Sequence, residues 1–254
     1  MQVTVLGKSP SWQDADGACS GYLVEQEGFR LLLDCGNGVF AKLRAVIDYL
    51  EVDALLVTHL HSDHCYDVIP FGYALSTGPR AGQAHPPLYG PPGSPESWQT
   101  LSTGLGWAPM LPLAFELHAY DEADALQLGP LTLRFCAVPH YVPTFAVEIT
   151  TPQAPGSGRF VFGADCTAND ELVTFMRGAD LAMLEATLLD PEDPAAAGHL
   201  TARQAGEHAR TADVGRLVAT HYSDELAPDR VLADAEAGFG GPVTLACEGD
   251  IYTV

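Results

Sequence analysis

Basic residues are scarce in this chain. Twelve Lys and Arg stand against 33 Asp and Glu, a formal charge of −21. Binding DNA or tRNA requires clustered cations that displace counterions from the phosphates, and no two basic residues here are adjacent. A long nucleic acid is therefore a poor candidate partner, although an acidic surface also serves solubility. Cysteine forms no CxxC pair among its six positions (19, 35, 65, 136, 166 and 247), so reduced, mostly buried thiols are expected rather than a disulfide framework. No run approaches the ~18 apolar residues that a membrane helix requires. The opening segment Met1–Gly7 lacks a basic start and a long apolar stretch, and it has the pattern of a strand rather than a signal peptide. Together these absences point to the cytoplasm and to no membrane partner.

What is abundant is local and specific. The segment Thr58–His64 (THLHSDH) holds three imidazoles and a carboxylate directly after the apolar run Ala54–Val57. Such groups at the end of a buried strand are costly unless something binds them, and imidazole with carboxylate suits divalent zinc, manganese or iron. His59 and His61 are two apart and point the same way on an extended backbone. Asp63 and His64 follow where one more turn can aim them at a second centre. Three further candidates each follow an apolar, β-rich run: His140 after Leu131–Val138, Asp165 after Arg159–Gly163, and His221 after Gly215–Thr220. Seven ligands with one carboxylate shared suggest a two-metal hydrolytic centre, its ions roughly 3.5–4 Å apart.

The HLHSDH run, continued in order by His140, Asp165 and His221, resembles the signature of metallo-β-lactamase-fold hydrolases, and the likeness extends over nearly the whole chain. The resemblance implies a first metal on His59, His61 and His140, a second on Asp63, His64 and His221, and Asp165 bridging both. The cofactors implied are two divalent ions, zinc or manganese, between which the ligand types do not decide.

Chain length and pattern agree with one α/β domain over residues 1–254. Strand signals fall at 2–6, 21–26, 29–34 and 54–58, and the apolar spacing from Val39 to Leu50 predicts a helix. The second half alternates strands at 131–138, 144–150, 159–163, 180–184, 215–220 and 243–247 with helices near 169–177, 201–213 and 228–237. Two β-rich halves with helices outside predict a four-layer αββα sandwich, which the resemblance also implies. Residues 77–112, rich in Gly and Pro, are expected to form an ordered surface excursion over the site.

Three features narrow the chemistry within the superfamily, since sites are grafted onto folds. Asp165 supplies carboxylate where zinc β-lactamases often have thiolate, and Cys166 beside it has the pattern of a small buried hydrophobe. The segment His199–Gly206 (HLTARQAG) resembles the HxTxxxAG motif of the tRNase Z and cyclic-nucleotide phosphodiesterase branches, where the histidine assists the leaving oxygen. The segment Val138–Phe145 resembles a segment of the same branch, and Glu185 matches an acidic position that holds the leaving-group histidine there. Asp63, His199 and Glu185 are thus the catalytic candidates: Asp63 to orient and deprotonate the nucleophile, His199 as general acid, and Glu185 behind it.

True tRNase Z enzymes carry an RNA-gripping arm, usually between the positions matching His140 and Asp165. Here that interval is 25 residues with a strand pair and leaves no room for an arm. The expectation is a binuclear phosphodiesterase for a small phosphodiester such as cyclic AMP. The alternatives are a tRNase Z-like 3′ endoribonuclease and a lactonase or thioesterase, which would not need His199. The sequence leaves open a homodimer, and whether Tyr141 and Tyr222 touch the ligand.

Overall fold

A computed structural model describes residues 1–123, 125–151, 158–191 and 198–254. Two seven-stranded sheets face each other. The first is built from β1 (Gln2–Gly7), β2 (Gly21–Gln26), β3 (Phe29–Leu33), β4 (Ala54–Leu56), β5 (Pro87–Gly90) and β6 (Glu116–Ala119), with β14 (Ile251–Thr253) added at the β1 edge. The second runs from β7 (Leu126–Leu128) through β8 (Leu131–Val138), β9 (Thr144–Thr150), β10 (Phe160–Phe162), β11 (Leu181–Glu185) and β12 (Leu217–Thr220) to β13 (Thr244–Leu245). Both sheets obey one plan. Strands β14-β1-β2-β3 and β7-β8-β9-β10 are antiparallel, whereas β3-β4-β5-β6 and β10-β11-β12-β13 are parallel. The two halves are structurally related, which the sequence does not reveal by eye.

Strand alternation builds the layers. Leu31 and Leu33 of β3 and Ala54 and Leu56 of β4 point between the sheets, where they join Phe135, Val147 and Phe160 of the second sheet. The intervening Leu32 and Leu55 point outward under helices. Strands buried on both faces need such continuous apolar runs. Four helices cover the outer face of the first sheet: α1 (Val39–Val46), α3 (Val68–Ser76), α4 (Ser94–Gly104) and α5 (Met110–Ala114). On the second sheet lie α6 (Asp170–Phe175), α7 (Ala202–Thr211) and α8 (Pro228–Phe239). The result is the four-layer αββα sandwich of the metallo-β-lactamase fold. Tyr22 and Phe162 lock the sheets together, their ring centroids 4.9 Å apart.

Two segments differ from the sequence expectation. The helix starting at Val39 ends at Val46, because Ile47 turns extended; a separate helical turn at Tyr49–Glu51 follows, capped by the Asp48 side chain. Residues 77–112 are no excursion over the site. They contribute β5 to the middle of the parallel region and α4 and α5 to the outer layer, with Trp98, Met110 and Leu111 buried. Gly and Pro there punctuate elements: Gly93, at φ 86°, caps α4, and a proline occupies its first turn. All six cysteines are free thiols, and Cys166 is buried in the apolar layer under α6 and α7. No helix among the described residues is long and apolar enough to cross a membrane.

Candidate metal centre

Strand ends on both sheets converge on one cluster. His59 and His61 leave β4, His140 follows β8, Asp165 follows β10 and His221 follows β12. Asp63 and His64 lie in α2 (Ser62–Cys65), a single turn. That turn packs close because position 36 is glycine: a Cβ there would stand 1.8 Å from the Asp63 carbonyl oxygen. Three non-glycine residues at the rim of the cluster hold left-handed backbone, Asp34 (φ 58°), Ala164 (φ 53°) and His221 (φ 53°). Each lies at or just past the end of its strand, where the turn throws the side chain, or that of Asp165 after Ala164, off the sheet plane. Such strain persists where surrounding structure enforces it.

The seven residues fall into two neighbouring groups. His59, His61 and His140 form one; Asp63, His64, Asp165 and His221 form the other, each with donor atoms within 4.8 Å of one another. Asp165 is central. Its Oδ2 lies 3.3 Å from His64 Nε2, 3.4 Å from His221 Nε2 and 4.0 Å from His59 Nε2.

Hydrogen bonds around the rim dictate which nitrogens face inward. Asp34 Oδ2 accepts from His64 Nδ1 at 2.7 Å. The Thr58 hydroxyl donates to Asp34 and accepts from His59 Nδ1. His140 Nδ1 donates to the Gly198 carbonyl at 2.7 Å, and His221 Nδ1 to the Thr187 hydroxyl at 2.9 Å. With Nδ1 of His59, His64, His140 and His221 engaged as donors, these rings, when neutral, present Nε2 lone pairs to the interior. There they meet further acceptors: His140 Nε2 lies 3.1 Å from His61 Nδ1, and His64 Nε2 lies 3.2 Å from His221 Nε2. His59 Nε2 and both Asp165 oxygens are buried without a hydrogen-bond partner. Acceptors crowded this way repel unless cations sit between them, and imidazole with carboxylate is the donor set for divalent transition metals. The residues fit such ions.

Protonation follows the same electrostatics. Burial, with the His64 charge nearby, pushes His59 well below its ordinary pKa. Burial likewise lowers His140 to about 4. For His64 burial works the other way from the carboxylates of Asp165 and Asp34, which win and raise it well above the ordinary value. Burial opposes ionisation of Asp63, yet the hydrogen bond from His221 and the His64 charge bring it down to about 2. Burial also opposes ionisation of Asp165, but His221 and His64 hold it well below the carboxylate range.

Beside the cluster, His199 Nδ1 lies 3.0 Å from Glu185 Oε2 and 3.8 Å from Asp165 Oδ2. Glu185 is buried, which raises its pKa, while the His199 hydrogen bond works in the opposite direction. Its other oxygen accepts from the Cys166 amide at 2.7 Å, so the carboxylate is fixed from both ends.

Several of these residues carry no signature that the sequence alone disclosed. Asp34 has one in retrospect, an acidic residue ending the apolar strand β3. Thr58 and Thr187 each flank a candidate carboxylate or imidazole, but hydroxyls in loops are too common to single out. Lys8 is half hidden in the same way. Buried, it donates to the Tyr222 carbonyl at 2.9 Å, pairs with Asp14, and so pins the backbone just after His221. Tyr222 itself points into the core, where its hydroxyl donates to the Ala246 carbonyl.

Comparisons with known proteins agree with this fold. The β-lactamase superfamily domain matches residues 29–222. The chain is 31% identical to the probable metallo-hydrolase YhfI of Bacillus subtilis over 99% of both proteins. The crystal structure of YhfI, described as a metallo-β-lactamase fold protein, superposes with a TM-score of 0.88 over 99% of this chain and 98% of that one. A ribonuclease Z of Bradyrhizobium diazoefficiens is 27% identical over 92% of this chain and 93% of its own length. Human tRNase Z, short form, shares the fold at 22% identity, with a TM-score of 0.75 over 100% of this chain and 99% of that one. The chain belongs to the β-lactamase superfamily and has its metallo-hydrolase fold.

Proposed function

We propose that the chain is a binuclear metal-dependent phosphodiesterase acting on a small phosphodiester, a cyclic nucleotide such as cyclic AMP. His59, His61 and His140 would hold one divalent ion, zinc or manganese, and Asp63, His64 and His221 the other, with Asp165 between them. Ions bound there activate water near neutral pH and draw charge from phosphoryl oxygens.

The observation that carries the reading is the His199–Glu185 pair, 3.0 Å apart at the edge of the cluster. Hydrolysis of a thioester, whose thiolate leaves unprotonated, needs no such group, whereas an alkoxide leaving from phosphorus does. Glu185 holds Nδ1 of the imidazolium, and His199 delivers its proton to the leaving oxygen. Asp63, ionised down to about pH 2, orients the attacking water and takes its proton.

Substrate size follows from charge. Twelve scattered basic residues in a chain of formal charge −21 offer little to hold a long RNA, and the described residues between His140 and Asp165 include β9 and β10. The relationship to ribonuclease Z supports a second reading, 3′ processing of precursor tRNA. Six free thiols suit a reducing compartment, and we place the reaction in the cytoplasm.

The deciding experiment compares kcat/KM for cyclic AMP and for precursor tRNA at physiological salt, with Asp63→Asn as the blank. Faster cleavage of the cyclic nucleotide, abolished by a chelator and restored by zinc or manganese, is expected. Efficient site-specific trimming of tRNA, absent from the blank, would promote the second reading.

A further inference from the structure

Tyr141 immediately follows His140, and its side chain is 57% exposed. Tyr22, Tyr120 and Tyr222, by contrast, are buried. Tyr141 is exposed yet not loosely placed. Its ring centroid lies 4.8 Å from that of His140, 6.0 Å from His199 and 6.4 Å from His61. The ring rests directly on the backbone of Gly198, where an added Cβ would stand 2.2 Å from the tyrosine Cζ. Gly198 is in turn fixed, since its carbonyl accepts from His140 Nδ1. Glycine at 198 therefore serves two ends: its carbonyl sets the His140 tautomer, and its missing side chain leaves a seat for an aromatic ring.

A flat, pre-positioned aromatic face at the mouth of a phosphate-binding cluster, on the side where His199 stands, suits one class of ligand group. Nucleobases stack on such faces whatever their sequence identity, because every base has a π-face. A tyrosine locked before binding loses little conformational entropy when a base arrives.

We propose that the Tyr141 ring is the stacking platform for the base of a nucleotide substrate, and so the specificity-determining residue of the site. The inference rests on the phosphodiester reading above and selects, within it, nucleoside-bearing esters over alkyl or sugar phosphates.

The test is calorimetric binding to the metal-loaded protein, with AMP and ribose 5-phosphate as probes. Both offer the same phosphate; only AMP carries a base. Wild-type protein should bind AMP more tightly, by about 5- to 150-fold, the range for one base–aromatic stack. Tyr141→Ala should bring that ratio near one while leaving the ribose 5-phosphate Kd and the metal content unchanged. Tyr141→Phe, which keeps the ring and removes the hydroxyl, should retain the ratio. A ratio near one in the wild type, a ratio that survives Tyr141→Ala, or its loss in Tyr141→Phe overturns the proposal. Binding is read without turnover, so the two ideas can fail separately. If cyclic AMP is not hydrolysed but the base preference depends on Tyr141, the reaction is wrong and the platform stands.

Discussion

Thr58 and Thr187 make matching contacts on opposite halves of the sandwich. Each hydroxyl donates to a buried carboxylate, Asp34 or Glu185, and accepts from Nδ1 of a cluster histidine, His59 or His221. Each carboxylate also takes a second imidazole, His64 on Asp34 and His199 on Glu185. The related strand plans of the two sheets thus extend to the groups that orient the imidazoles. Removing such an orienting partner typically costs 10–100-fold in metal affinity. Thr187→Val should therefore weaken metal binding by about that factor, and Thr187→Ser should restore it. Competition against a chromogenic chelator measures both, and unchanged affinity in the valine variant would rule the role out.

Asp34 gives a sharper case. It sits at φ 58°, a conformation asparagine tolerates well, so Asp34→Asn leaves the backbone unstrained. The amide nitrogen must nevertheless face one of the donors from Thr58, Ser20 or His64 that the carboxylate accepts. Metal content after exhaustive dialysis should fall while the folded circular dichroism spectrum persists. Full metal content would show that the Asp34–His64 contact does not orient the ring.

A stability prediction comes from the helices behind the second sheet. A Cβ at Gly206 of α7 would lie 2.3 Å from the Ala235 carbonyl oxygen, and one at Gly238 of α8 would lie 2.2 Å from that of Arg203. The helices touch through backbone, so Gly206→Ala should destabilise by about 1–3 kcal/mol despite alanine's better helix propensity. Urea unfolding reads this directly, and an unchanged or raised midpoint would show that α8 shifts freely.

This contact bears on what the sequence disclosed. In the segment His199–Gly206 the histidine and the glycine look like one motif, yet they act separately: His199 faces Glu185, and Gly206 serves helix packing. The HLHSDH run and the strand contexts of His140, Asp165 and His221 were legible because buried strands ending in metal-binding side chains have few other uses. The role of residues 77–112 was not, since Gly and Pro at element boundaries hid the short strand β5 and the sparse apolar face of α4. Asp34, Thr187 and Gly198 were hidden for another reason. Asp34 meets Ser20, Thr58 and His64 from 14, 24 and 30 residues away, Thr187 meets His221 from 34 and Gly198 meets His140 from 58.

Metal uptake should release protons unequally from the two groups. His59 and His140 have lowered pKa values and are neutral at pH 7 before metal arrives. His64 is raised well above 6.5 and carries a proton that the metal must displace. Loading the Asp63–His64–Asp165–His221 group should therefore release about one proton, and its affinity should rise about tenfold per pH unit until the raised pKa is passed. The sign is fixed: acid weakens this group first, while the His59–His61–His140 group, all three lowered by burial, resists to more acidic pH. Calorimetric titration of metal-free protein in two buffers of different protonation enthalpy counts the protons. Equal release at both steps would contradict the assignment.

The final prediction separates the proton at the leaving oxygen from metal binding. His199 touches Glu185 and approaches Asp165; it is not one of the seven residues, and its donor atoms lie within 4.8 Å of those of His140 and Asp165 and of Glu185 and His221. His199→Ala should leave metal occupancy nearly unchanged and lower turnover on phosphodiesters whose alkoxide leaves poorly. General-acid assistance is worth about 10²–10⁴-fold, so loss on such a substrate should fall in that range. An activated aryl phosphodiester, whose phenolate needs little protonation, should lose far less. Glu185→Gln provides the control: with its amide oxygen toward Nδ1 it keeps that hydrogen bond and removes the charge that holds the imidazolium, while its NH2 replaces the oxygen that accepts from the Cys166 amide. It should produce a smaller loss with the same leaving-group dependence. Should both substrates lose rate equally in His199→Ala, the imidazole positions substrate rather than protonating it.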